Sequence, residues 1–143
     1  MKRTRLRKSK ERSTTWWRKK CVVIAKLLAR ARDNDTCQFC GKSKGQGYVI
    51  HGSHVLPEGT YKSMSADVDN IIALCAVHHL SGANPRMGSK EPSWHGDPLY
   101  FAEWFNKKYP GRHQELRIRA QVMKIVNWEQ KYKELYALFK EIN

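Results

Sequence analysis

The chain has 143 residues, 41% of them hydrophobic, and 27 Lys and Arg stand against 13 Asp and Glu for a formal charge of +14. That length suits one compact domain with a helical extension better than two full domains, and the charge points to an anionic polymer, nucleic acid ahead of a membrane surface. No apolar run approaches the roughly 18–20 residues that span a bilayer, and no signal-peptide pattern follows the basic start, so the reading is a cytoplasmic protein with no membrane partner.

Residues 1–20 contain ten Lys and Arg and one Glu. Positions 1–12 offer almost nothing apolar to pack, so this arm is expected to order on a phosphate backbone, with Lys8, Arg12, Arg18, Lys19 and Lys20 as contacts. The bland alternative is a solubilising tail. Residues 14–32 read as a helix, because Trp17, Cys21, Ile24, Leu28 and Ala31 recur at three- and four-residue steps. Cys21 falls on that apolar side and reads as a core residue. Asp33-Asn34-Asp35 breaks the pattern, and the Gly-rich stretch 36–47 suits a tight metal knuckle. Tyr48, Val49 and Ile50 are strand formers, and Val55-Leu56 continues them past a bend at Gly52. Ile71 to Leu74 is a short apolar run, followed by a helix over 75–83 and a loop over 84–96. Asp97-Pro98 is a helix start, with Asp as the N-cap and Pro at the first helical position. Phe101, Trp104 and Phe105 give that helix an aromatic face, and Pro110-Gly111 ends it. From 113 to 142 the pattern is helical again, with Leu116, Val122, Ile125, Val126, Tyr132, Leu135, Leu138, Phe139 and Ile142 on its apolar side. Asn127 with Gln130 divides it in two.

Cys37-Gln-Phe-Cys40 and Cys75-Ala-Val-His78 share a two-residue gap, and together they form a closed Cys3His set of the kind that structural zinc prefers. A redox CxxC would leave the second pair unexplained. Between the pairs lie His51 and His54, then Asn70, and His79 follows immediately after. A lone histidine is more often structural than catalytic. Three polar elements in the order His54, Asn70, His79, interleaved with two metal-ligand pairs, are harder to reach by accident.

That order resembles the HNH nucleases (ββα-metal, or His-Me finger), in which CxxC precedes a strand ending in His, and Asn-x-x-x-x-Cys-x-x-Cys-His follows. Here the last part is Asn70-Ile-Ile-Ala-Leu-Cys75-Ala-Val-His78-His79, with His78 in place of a fourth Cys. The resemblance implies that His54 is the general base, that Asn70 fixes the loop and orients His54, and that His79 binds a catalytic divalent ion. Arg32-Asp33 and the Asn106 to Gly111 turn are similar to phage NinG/Rap-type recombination endonucleases. The stretch Trp94-His95-Gly96-Asp97-Pro98 resembles a Trp-His-x-x-Pro element of some phage HNH proteins, which implies His95 as a second ligand of that ion. Where many HNH enzymes carry an Asp or His before the base, this chain has Ser53, a poor ligand. The ion then needs His95, His51 or water. Mg²⁺ keeps waters readily, and histidines favour Mn²⁺ and later metals.

The expected fold is α+β: a basic arm and helix (1–35), a small zinc-stapled ββα-metal core (36–96) and a C-terminal helical extension (97–143). The expected function is metal-dependent cleavage of phosphodiester bonds in DNA. Recombination or branched-DNA processing in a bacterial host is one role the resemblance allows, with a phage origin. The alternative is a non-catalytic zinc-finger nucleic-acid-binding protein, and a third reading is a purely structural basic protein. The helical C-terminus offers a surface for a homodimer.

Overall fold

The computed structural model describes residues 11–81 and 91–143. Lys8, the rest of the arm before Glu11, and the expected 84–90 loop segment lie outside these residues.

The first helix, α1, spans Thr14–Arg32 and starts where Ser13 Oγ accepts the Trp16 N–H at 3.2 Å. It buries Cys21, Val22, Ile24, Ala25 and Ala29, with Trp17 and Leu28 packed at the edge. Ala31, expected inward, is exposed, and Ala25 and Ala29 take that place. Small residues there let the helix approach the sheet closely. The helix stops at Asp33, and Asn34 and Asp35 then turn with φ of 54° and 46°, a left-handed conformation that short polar side chains tolerate.

Two antiparallel strands follow, β1 (Ile50–His54) and β2 (Ile71–Cys75), in a register that pairs Ile50 with Cys75 and His54 with Ile71. This corrects the expected strand. Tyr48 and Val49 precede it and are exposed, and Val55 and Leu56 follow it into the core. Gly52 is no bend; it pairs with Ala73 in mid-strand. The outer edge of β2 is covered rather than left open. Asp33 Oδ2 accepts the Ala73 N–H at 2.9 Å, the Gln38 N–H donates to Ala73 O at 2.9 Å, and Arg32 donates to Val68 O and Ile71 O. The Arg32-Asp33 pair therefore works as an edge clamp joining the end of α1 to the sheet.

After β2 the chain makes a π-helical turn over Val77–Ser81 in place of the helix expected from 75 to 83. Residues 82 and 83 lie outside the described part. A wider turn of this kind places neighbouring side chains differently from an α-helix: His78 is buried and His79 opens toward a cleft. Three helices complete the chain, α2 (Pro98–Lys108), α3 (Arg112–Val122) and α4 (Trp128–Ile142). Asp97 accepts the Tyr100 N–H with Pro98 in the first turn, and Asn127 accepts the Gln130 N–H, so both sequence-read starts hold. Val122 and Ile125, expected in the core, are 77% and 95% exposed, because α3 buries only Leu116 and the chain leaves the core before α4 returns to it.

The fold is α+β, with two apolar clusters. One joins the knuckle, the sheet and α2 through Cys37, Ile72, Leu74, Phe101, Phe105 and Leu116. The other packs α1 against α4 through Cys21, Ala25, Ile71, Trp128 and Leu135. Cys21 is fully buried, its thiol donates to Trp128 O at 3.3 Å, and burial pushes its pKa up to about 11. It is an inert core thiol.

Asn70 ties the loop after His54 to the end of the sheet. Its Oδ1 accepts the Leu56 N–H at 2.7 Å, and its Nδ2 donates to Leu56 O at 3.2 Å and Met64 O at 3.1 Å, all fully buried. Replacing it with Ala strands three buried backbone groups, each worth about 1 kcal/mol or more. Asn70→Ala is expected to destabilise the protein by about 3 kcal/mol in urea unfolding, whereas a loss under 1 kcal/mol would contradict the clamp.

Candidate metal centre and histidine cleft

The knuckle is built by backbone hydrogen bonds before any metal is considered. Cys37 N–H donates to Lys42 O at 2.8 Å, Gly41 N–H donates to Cys37 O at 2.9 Å, and Thr36 bridges to Ser43. Gly41 takes the turn with φ of 78°, where a side chain would be strained. This brings Cys37 and Cys40 over the end of β2, where Cys75 and His78 sit. The ligand atoms of Cys37, Cys40, Cys75 and His78 all lie within 4.8 Å of one another. Individual separations are 3.9 Å for Cys40 Sγ to Cys75 Sγ, 3.8 Å for Cys37 Sγ to His78 Nδ1 and 3.1 Å for Cys75 Sγ to His78 Nδ1.

Thiolates about 2.3 Å from a tetrahedral zinc stand roughly 3.8 Å apart. The four residues therefore fit a metal ion such as zinc, as their spacing predicted. His78 offers Nδ1 because its Nε2 is held by Glu91 Oε2 at 2.9 Å, the carboxylate support that fixes a ligating imidazole. Burial and the neighbouring sulfurs push the Cys75 thiol up to about 12, and burial raises Cys40 as well. A cation here would displace those protons. Among the described residues this is the only group of three or more such side chains gathered so closely.

A second feature lies beside it. A cleft of about 450 Å³ is lined by Lys26, Gly52, His54, Glu58, His79, Trp94 and His95, among others. His54 ends β1, His79 leaves the π turn, and His95 is carried alongside it by a hydrogen bond from its N–H to His79 O at 3.2 Å. The three histidines singled out in the sequence thus share one cleft. Asn70 does not line it; its part is the backbone clamp described above. His51, named in the sequence only as a possible substitute for the missing acid, has its Nδ1 2.9 Å from Nδ1 of His79. The rings of His79 and His95 are 4.9 Å apart.

These surroundings favour the neutral imidazole at His51, His54 and His79. Burial, then His95, His51 and Lys26, push His79 down to about 3. Burial and Lys26 lower His51, and burial lowers His54 against the hydrogen bond it donates to Ser65 O, which would raise it. His54 Nε2 lies 2.7 Å from Ser65 O. A carbonyl only accepts, so Nε2 carries the proton and Nδ1 is left as the basic nitrogen. Ser53, at the position before His54, is buried, and its Oγ has no hydrogen-bond partner among the described residues.

Of the residues expected to meet phosphate, Arg12 lies over the Trp16 ring at 4.2 Å and Lys20 at 5.3 Å, while Arg18 is engaged by Glu58 at 2.9 Å. Lys19 and Lys20 are exposed. Trp17 packs on Tyr132, and Trp94 packs on Phe101 and Phe105 while still lining the cleft. No helix among the described residues is long and apolar enough to cross a membrane. No known family model, curated protein or solved structure matches this chain.

Losing the Cys3His ion should loosen both the knuckle and the π turn. Cys75→Ser is expected to abolish stoichiometric zinc in native mass spectrometry and to lower Tm by roughly 10 °C, since such ions contribute folding energy directly. Full zinc content in the variant would remove Cys75 from the ligand set.

Proposed function

We propose that the protein is a metal-dependent HNH endonuclease that hydrolyses phosphodiester bonds in DNA, with His54 as the general base. The observation that carries this reading is the cleft in which His54, His79 and His95 converge next to a separate Cys3His group. One group of ligands is closed and suits a structural ion. The other is open and histidine-rich, as a site that must admit substrate has to be.

His79 and His51 are the pair best suited to hold the divalent ion; His95 lines the cleft beside them without closing into a three-ligand group as tight as the Cys3His set, so water would fill the remaining positions. Two nitrogens each about 2.1 Å from an ion and at right angles stand roughly 3.0 Å apart, and the two Nδ1 atoms are 2.9 Å apart. His51 thus supplies what Ser53 cannot. When bound, a divalent ion such as Mg²⁺ or Mn²⁺ would polarise the scissile phosphate and ease charge on the leaving oxygen. Zinc in the Cys3His group would have no part in the chemistry and would hold the knuckle to the π turn.

The protein's own contribution is the base and its orientation. Nδ1 of His54 takes a proton from water as the water oxygen bonds to phosphorus. The bond from phosphorus to the 3′-oxygen breaks, and that oxygen takes a proton from solvent. Ser65 O holds the other ring nitrogen, so the imidazole enters the reaction in one tautomer. Asn70 keeps Met64, the residue before Ser65, in place. The charge of +14 supplies the affinity for the polymer without specifying its sequence.

Purified protein with Mg²⁺ or Mn²⁺ is expected to nick or cut DNA. His54→Ala should lower the rate by at least about 10³-fold, the upper part of the range for losing a general base together with its orientation, with DNA affinity and zinc content unchanged. Cleavage equal to that of the parent protein would remove His54 from the chemistry. Because burial holds His54 below its ordinary pKa of 6.5, its neutral form persists into more acidic solution. The acid limb of the rate profile should therefore fall with a midpoint below 6.5, and a midpoint above 7 would contradict the environment described.

A further inference from the structure

We propose that Lys26 is the side chain that grips the scissile phosphate in the histidine cleft, and that Gly52 exists to let it through. The proposal rests on the nuclease reading above and adds a residue to it.

Lys26 belongs to α1, on the side turned toward β1, and is half-buried where most lysines of this chain are exposed. It lines the same cleft as His54, His79 and His95. Its stem crosses β1 at Gly52. A Cβ built on Gly52 would stand 2.8 Å from Lys26 Cγ and 2.9 Å from Lys26 Cβ, with Ile71 Cγ2 at 3.2 Å. The glycine is not there for its backbone freedom, since Gly41, Gly47 and Gly111 are the described glycines with positive φ. It is there because a side chain would occupy the path of the lysine stem. A strand interior normally loses stability by carrying glycine, so the close approach must matter more than that loss.

Charge balance then says what the lysine is for. Among the described residues that line the cleft, Lys26 is the one cation and Glu58 the one acid. Glu58 is already engaged by Arg18 at 2.9 Å. Among the described residues none of the ion pairs uses Lys26. A half-buried lysine whose stem is held against β1 and whose charge has no carboxylate partner among the described ion pairs brings a positive charge to the cleft that suits an anionic ligand. The ligand must be narrow enough for the cleft and must reach His54 and His79 together, which a phosphodiester of a nucleic-acid strand does. A lysine there meets a non-bridging oxygen as a point charge and neutralises the charge that builds up as water adds to phosphorus. The same positive charge acts on His51, His54 and His79 and lowers each of them, in keeping with a base that must stay neutral.

The test compares the full-length protein with Lys26→Gln, Lys26→Met, Lys26→Arg, Gly52→Ala and His54→Ala. Cleavage of plasmid DNA with Mn²⁺, DNA affinity by anisotropy, zinc content and Tm are measured for each. Lys26→Gln and Lys26→Met are expected to lose about 10²-fold in the cleavage step at saturating DNA, with affinity changed less than about threefold, because the charge acts on the reacting phosphate and the rest of the basic surface holds the polymer. Lys26→Met keeps the apolar stem, so its loss reports the charge rather than the packing. Lys26→Arg should retain cleavage within about tenfold, and Gly52→Ala should lose tenfold or more although its lysine is intact. Near-parental cleavage by Lys26→Met, with His54→Ala inactive, would overturn the role of Lys26 and leave the nuclease reading standing. Equal activity in His54→Ala and the parent, or none in the parent, would remove that reading and this proposal with it.

Discussion

Three sulfurs and one imidazole nitrogen gathered within 4.8 Å join parts of the chain that are 35 residues apart in sequence. The rest of the central layer depends on that meeting. A two-stranded sheet is marginal on its own, and β1 and β2 contribute five residues each. The Cys3His group fixes one end of β2 to the knuckle, Arg32 and Asp33 cover its free edge, and Asn70 anchors its other end. Between these three attachments the strand register is fixed. The register in turn decides that His51 and His54 sit where the π turn presents His79.

A division of labour follows from the donors. The sulfur-rich group is closed, largely buried and backed by Glu91. The described residues of the histidine cleft include no sulfur, the cleft opens to solvent, and Lys26 is its described cation. Softer ligands on one side and nitrogen on the other favour different metals, so under the proposed nuclease reading a second ion would be kept apart from the first by chemistry as well as by distance. The Cys3His group and the histidine cleft share the π turn, which carries His78 into one and His79 into the other.

How much of this could be read from the chain depends on how local each signal is. The Cys37, Cys40, Cys75, His78 set is legible because only two residues separate the members of each pair and only two pairs have to meet. Asp97-Pro98 and Asn127 were legible because a cap acts within one turn. Periodicity alone puts Ala31 on the inward face of α1, since Ala29 and Ala31 look alike until the sheet selects one. In sequence Gly52 reads as a bend because its reason, the stem of Lys26, lies 26 positions earlier on another element. The meeting of His51 with His79 needed both the register of β1 on β2 and the π turn, neither of which leaves a periodic trace. The apolar Val122 and Ile125 matched a helical period but lie where the chain has left the core.

The central claim is that two ions occupy two distinct sites and that His54 belongs to neither. A crystal structure with zinc and Mn²⁺ present, with anomalous scattering collected at both absorption edges, tests it directly. Zinc is expected among Cys37, Cys40, Cys75 and His78, and manganese against His79 and His51, with His54 Nδ1 free and facing the cleft. Manganese bonded to His54, or absent from the cleft at saturating concentration, would contradict it.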